Sequence, residues 1–230
     1  MRCGSFATGS AARRPASDDV QIAILLYDRL VALDAIGPYD VLKLLPAADV
    51  RLVAAQAGEV ATDGPLKLVA GDTLEAVPRP DIVVVPGGPG AVAAARDERV
   101  LRWLRAAHEH TRYTASVCWG SEILGAAGLL DGVEATSHWL VHEQLSDHGA
   151  IAVDERVVVS GRIITSAGVS AGIDMALALA ALTAGDAIAE WIALILEYAP
   201  EPPSAGAGSP HTAAPELVAQ LRDGYARSRR

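Results

Sequence analysis

Two short stretches, residues 21–27 (QIAILLY) and 81–86 (DIVVVP), are apolar almost without interruption. A strand with one face in water alternates apolar and polar side chains; one that is apolar on both sides needs cover on both. Helices packed on the two faces of a parallel sheet provide that cover. The rest of the chain alternates in keeping with it. Strands are predicted over residues 50–55, 113–117 and, briefly, 133–136. Residues 30–45 begin as a loop and become a helix, and further helices are predicted over 97–109, 120–127, 139–147, 170–182, 186–198 and 214–227. Hairpin arms fall at 66–70, after the Asp63-Gly64-Pro65 turn, and at 156–165, broken by Ser160-Gly161. Short links between alternating strands and helices imply an α/β fold with a mostly parallel sheet sandwiched by helices.

The chain has 230 residues, enough for one large α/β domain, placed here at residues 20–210. Residues 1–19 are small and polar, with no apolar h-region, and read as a disordered leader rather than a secretory signal. Residues 211–230 read as a C-terminal helix and tail. Hydrophobic residues make up 51% and aromatics only 4%, which suits helices packed tightly on a sheet through small aliphatic side chains. The formal net charge of −9 disfavours nucleic acid as a partner, and no apolar run is long enough to span a membrane. The two cysteines, Cys3 in the leader and Cys118, are not expected to pair, and a reducing cytoplasm is the simplest setting.

In doubly wound sheets, ligands bind at the carboxyl ends of the strands. Three loops fall there. The first is Ala115-Ser116-Val117-Cys118-Trp119-Gly120-Ser121. A strand, a cysteine, a glycine two residues on and then a helix make a nucleophile elbow. Gly120 leaves room for the sharp turn, and the helix N-terminus is expected to favour thiolate over thiol. An inert core cysteine would not need this turn, so Cys118 is read as a nucleophile.

The second loop runs from Leu33 to Asp40. Gly37 reads as an N-cap and Pro38 as the first helical residue, which puts Asp40 in the first turn and Asp34 before the helix. Asp34 stands among Val31, Ala32, Leu33, Ala35 and Ile36. Burial there would raise its pKa and make it a proton donor near neutrality; alternatively it closes an Asx-turn. The third loop is Pro86-Gly87-Gly88-Pro89-Gly90, whose glycines allow close backbone approach. An N–H there, at Gly88, could join that of Trp119 as an oxyanion hole. His138, at another helix start, is either a further site residue or a capping or core histidine. His138 and His142 have metal-ligand spacing but lack the carboxylate of an HExxH pattern, so no metal is expected.

Taken in order, LDxxGPxDVL (33–42), PGG (86–88), SVCxGSxxLGAAGLL (116–130) and ATxHW (135–139) resemble the ThiJ/PfpI superfamily, and within it the isocyanide hydratases. GVSAGID (168–174), EYAPEPP (197–203) and the GSP at 208–210 extend the resemblance over residues 20–210. It implies a flavodoxin-like, class I glutamine amidotransferase-like fold, with Cys118 as nucleophile, Asp34 as its proton-transfer partner, no cofactor, and a homodimer. The implied reaction adds water to an isocyanide, a small electrophile, through a thioimidate. Peptidase-like members of the superfamily carry His immediately after the cysteine, and the hydratases a small Thr; here that residue is Trp119. Glutamine amidotransferases carry His-x-Glu where this chain has Ser166-Ala167-Gly168. A glyoxalase-type or aldehyde-scavenging activity and a non-catalytic sensor oxidised at Cys118 are the competing readings.

Overall fold

A computed structural model describes residues 19–204, 206 and 208–228. Cys3 and nearly all of the expected leader therefore lie outside the described residues. The elements in chain order are β1 (Val20–Leu25), α1 (Ala32–Leu42), β2 (Ala48–Ala54), β3 (Gly58–Ala61), β4 (Lys67–Ala70), β5 (Asp72–Thr73), β6 (Ile82–Val85), α2 (Ala91–Ala94) and α3 (Glu98–His108). Then come β7 (Tyr113–Val117), α4 (Gly120–Ala126), β8 (Glu134–Ala135), β9 (Ile151–Ala152), β10 (Val157–Ser160), β11 (Ile163–Ser166), α5 (Ala171–Ala184), α6 (Asp186–Ile195) and α7 (Pro215–Ser228). Short 3-10 turns occupy Leu74–Ala76 and His142–His148.

Seven strands form the central sheet in the order β10-β11-β7-β6-β1-β2-β5. All neighbours are parallel except the β10–β11 hairpin at one edge. The two near-continuous apolar runs, β1 and β6, lie side by side at its centre, with Ile22, Ile24, Ile82 and Val84 wholly buried. β3 and β4 make the separate hairpin after β2. α3 shows how the helices cover the sheet. Val100, Leu101, Leu104 and Ala107 are buried, Arg99, Arg102 and Arg105 carry its polar side, and the Asp97 side chain caps it by accepting from the Arg99 N–H at 2.9 Å.

Two expectations need correction. Residues 139–147 do not form an α-helix: the chain turns at Trp139–Val141 and then winds a 3-10 segment, His142–His148, ended by Gly149 at φ 72°. The Leu140 N–H is held by Nδ1 of His138, so the turn closes on a side chain and α-helix does not start there. Likewise α1 begins at Ala32, five residues before the predicted cap, which puts Gly37 and Pro38 inside it. Its start is fixed from outside, by the Val31 N–H donating to the Gly87 carbonyl at 2.9 Å. Pro38 has no N–H to return to the Asp34 carbonyl, a cost the helix bears where it is clamped on both sides. A Cβ on Gly37 would come within 3.1 Å of Ile173 in α5. No helix among the described residues is long and apolar enough to cross a membrane.

Candidate active site

Parallel strands β1, β6 and β7 end at one edge, so the segments that follow them converge. After β7 comes Cys118, with φ at 58°. Side chains other than glycine avoid this left-handed region, so the turn has to be imposed by its surroundings. Several hydrogen bonds impose it. The Cys118 N–H lies 3.1 Å from both the Ser166 and Ala167 carbonyls, and its own carbonyl accepts from Ser137 Oγ at 2.9 Å and from Ser121 Oγ at 3.3 Å. Ser121 Oγ also donates to Ser137 Oγ at 2.7 Å. A Cβ on Gly120 would run into the Val85 carbonyl oxygen, so only glycine lets α4 start this close to β6.

Asp34 arrives from the first turn of α1 and is wholly buried. Its Oδ2 accepts the Gly87 N–H at 2.9 Å, while Oδ1 takes no conventional hydrogen bond from the described residues. Burial pushes this carboxyl up from 3.8 to about 7, against the pull of the Gly87 N–H and of the Cys118 thiol, with a small further push from Asp63. The aspartate is thus neither a helix cap nor an Asx-turn. It is a buried acid in the reach of a thiol.

The thiol departs from the sequence-based expectation. Burial, followed by the charge of Asp34, drives its pKa well above the ordinary value, although the N–H groups of Trp119 and Val169 both donate to the sulfur and pull the other way. Cys118 is 4% exposed, and loss of water outweighs two backbone donors and a seven-residue helix. Burial thus favours the thiol over the thiolate. Cys118 is free rather than disulfide-bonded.

The remaining candidates take these places. Gly87 sits against Cys118: a Cβ there would meet the Trp119 nitrogen and lie 2.8 Å from Cys118 Cβ. Gly88 has φ at 127° and passes so close to Arg29 and Val31 that a side chain would strike their backbone. The N–H of Trp119, one of the two predicted oxyanion donors, is together with that of Val169 a group that pulls the Cys118 pKa down. No hydrogen bond among the described residues joins His138 to Cys118 or Asp34. His138 packs on Gly168, stacks against Trp139 with ring centres 5.8 Å apart, and burial holds its pKa below the usual value. His142 Nε2 lies 2.9 Å from the Val153 carbonyl, and no group of three metal-ligating side chains occurs among the described residues.

Sequence reasoning missed four participants. Tyr27 is buried beside the pair; its hydroxyl donates to the Pro86 carbonyl at 2.7 Å, and burial, then Asp34 and Cys118, raise its pKa. Ser121 and Ser137 hold the elbow, and Val169 presents its N–H to the sulfur. All four lie inside the strands and motifs legible in the sequence, but nothing local shows that they face the cysteine. A cavity of about 490 Å³ is lined by Tyr27, Asp28, Arg29, Gln56 and Pro89 among others, and neither Cys118 nor Asp34 lines it.

The chain is similar to several known proteins. The chain is 44% identical over 203 residues to an isonitrile hydratase of Pseudomonas putida, covering 88% of this chain and 89% of that protein. A crystal structure of a ThiJ/PfpI family protein from Pseudomonas syringae superposes with a TM-score of 0.88 at 35% identity, over 97% of this chain and 93% of that one. A glutathione-independent glyoxalase of Caenorhabditis elegans is 30% identical over 97 residues, 42% of this chain and 52% of that protein. The profile of the DJ-1/PfpI family matches residues 20–182, and with the buried cysteine and acid at the strand ends, the chain belongs to the DJ-1/PfpI family.

Proposed function

We propose that this protein is a cysteine-dependent hydratase that converts isocyanides to N-substituted formamides. The observation that carries the reading is the buried Asp34 carboxyl, with a pKa of about 7, beside a thiol whose pKa burial raises. Near neutrality such an acid holds its proton about half of the time, so it can both take a proton and give one.

The terminal carbon of R–N≡C needs a nucleophile and a proton. Sulfur of Cys118 attacks that carbon as the thiol proton passes to Asp34, while the Trp119 and Val169 N–H groups stabilise charge on the sulfur. Asp34 then protonates the same carbon, giving the thioimidate R–N=CH–S–Cys118. Water adds to the C=N carbon and yields R–NH–CH(OH)–S–Cys118. Cleavage of the C–S bond returns the thiol and releases R–NH–CHO. Every proton is accounted for by the thiol, Asp34 and one water, and the scheme calls on no cofactor.

The relative named as an isonitrile hydratase, with most of both chains matched, supports this reading. The shorter match to a glyoxalase supports a second one, in which the same thiol adds to the aldehyde carbon of a 2-oxoaldehyde. The test follows formamide formation from cyclohexyl and phenyl isocyanide, with Cys118→Ala as blank and Asp34→Asn alongside. Turnover abolished in the first variant and lowered at least 100-fold in the second is the expected result. A folded, alkylatable protein that turns over methylglyoxal but no isocyanide would replace the hydratase reading with the glyoxalase one. A protein that turns over neither, but whose Cys118 is readily oxidised, would point to a sensor.

A further inference from the structure

Trp119 follows the nucleophile directly, and its ring is only half-buried. Its partner comes from the far end of the chain. The Tyr225 ring of α7 meets it edge-on, with centroids 5.3 Å apart and planes at 73°. Tyr225 is tied down in turn, since Gln144 Nε2 donates to its hydroxyl at 3.3 Å.

α7 makes a second contact of the same kind. The guanidinium of Arg222, one turn earlier, stands over the Trp139 ring at 5.7 Å. Trp139 stacks on His138, and His138 packs on Gly168. The residue after Gly168 is Val169, whose N–H is one of the two backbone groups that pull the Cys118 pKa down. The helix therefore rests on the aromatic side chains that border both segments donating to Cys118. α7 itself is a polar helix that leaves Leu217 and Leu221 nearly half exposed, so its attachment depends heavily on these few contacts.

We propose that α7 is the specificity wall of the Cys118 site: Tyr225 holds the Trp119 indole in place, and the indole limits the breadth of the group carried by the electrophile. Compact or planar substituents enter along the indole, and broad aliphatic ones are excluded. The inference deepens the hydratase reading and takes from it only that Cys118 is the reacting atom, so it can be tested without any turnover.

The experiment measures second-order rates of Cys118 modification by N-methylmaleimide and N-cyclohexylmaleimide, which share one reactive ring and differ in breadth. A Cys3→Ser background leaves one thiol to follow by intact mass. The native side chains should discriminate against the broader reagent. Tyr225→Ala and Trp119→Ala should each reduce that discrimination at least fivefold, while Tyr225→Phe, which keeps the ring contact and loses only the hydroxyl, should change it less than twofold. A Tyr225→Ala protein that discriminates as the native one does, whether or not Trp119→Ala relaxes it, would overturn the role of the helix. Should Tyr225→Ala fail to fold, Tyr225→Leu puts the same question with an apolar side chain. Failure of isocyanide turnover would leave these rate ratios, and what they say of the helix, untouched.

Discussion

Replacing Asp34 by Asn keeps the shape of the side chain and an acceptor for the Gly87 N–H, but removes the ionisation. The effect on stability has a defined sign. The folded protein binds the Asp34 proton more tightly than the unfolded chain, its pKa rising from 3.8 to about 7, so ionisation opposes folding. The penalty is absent below the unfolded value, grows through the interval and is complete above the folded one. At pH 8 it comes to about 4 kcal/mol, and at pH 5 to roughly 1.7 kcal/mol. Asn escapes it at either pH. The stability gap between Asp34→Asn and the native protein should therefore move by about 2.5 kcal/mol in favour of the variant between pH 5 and pH 8. For a chain of this length that corresponds to about 5–10 °C in Tm. Thermal melts of both proteins at the two pH values, checked by urea titration, read this directly. A gap that does not change with pH would refute the argument that Asp34 is a desolvated acid, whatever the activity of the variant.

Three further outcomes follow from the same geometry. Because Cys118 is held at φ 58°, Cys118→Gly should be more stable than Cys118→Ala by about 1 kcal/mol in denaturant titrations, and the reverse order would remove the strain argument. Ser137→Ala deletes a buried hydrogen bond to the Cys118 carbonyl and leaves Ser121 without its acceptor hydroxyl; it should lose about 1–2 kcal/mol and lower kcat more than KM, whereas an unchanged kcat would mean that the elbow holds itself. α6 exposes Trp191, Leu194 and Ile195 at positions three and four apart, and we propose that this face pairs with a second copy of the chain; light scattering should then give a dimer that Leu194→Asp dissociates, and a native monomer at micromolar concentration would exclude it.

What could be read from the residues alone was whatever is encoded within a few positions. β7, the cysteine and the glycine two residues on are contiguous, and the structure places that strand at Tyr113–Val117 as predicted. The doubly covered strands β1 and β6 announced themselves by composition. Misreadings arose where a local signal was outweighed from a distance. Gly-Pro is a sound helix-start signal, but the Gly87 carbonyl captures Val31 and begins α1 earlier, and Gly37 serves instead to let α5 approach. A helix N-terminus beside a cysteine ordinarily lowers its pKa, yet the extent of burial, which no motif records, reverses the sign here. Tyr27 and Tyr225 are 91 and 107 positions from Cys118 in the chain. Only the finished packing brings the first beside Cys118 and the second onto the Trp119 ring next to it.

Gly87 joins Asp34 and Cys118 through its backbone alone. Its carbonyl anchors the start of α1, its N–H holds the acid, and its missing side chain makes room for the cysteine. A position that works through main-chain atoms has no side chain to vary, so the spacing of acid and thiol cannot be retuned there without loss of the site. Trp119, Trp139 and Tyr225 face no such constraint. The scaffold thus separates a floor, where main-chain atoms hold the acid and the cysteine in place, from a rim of side chains that can be replaced without moving that floor.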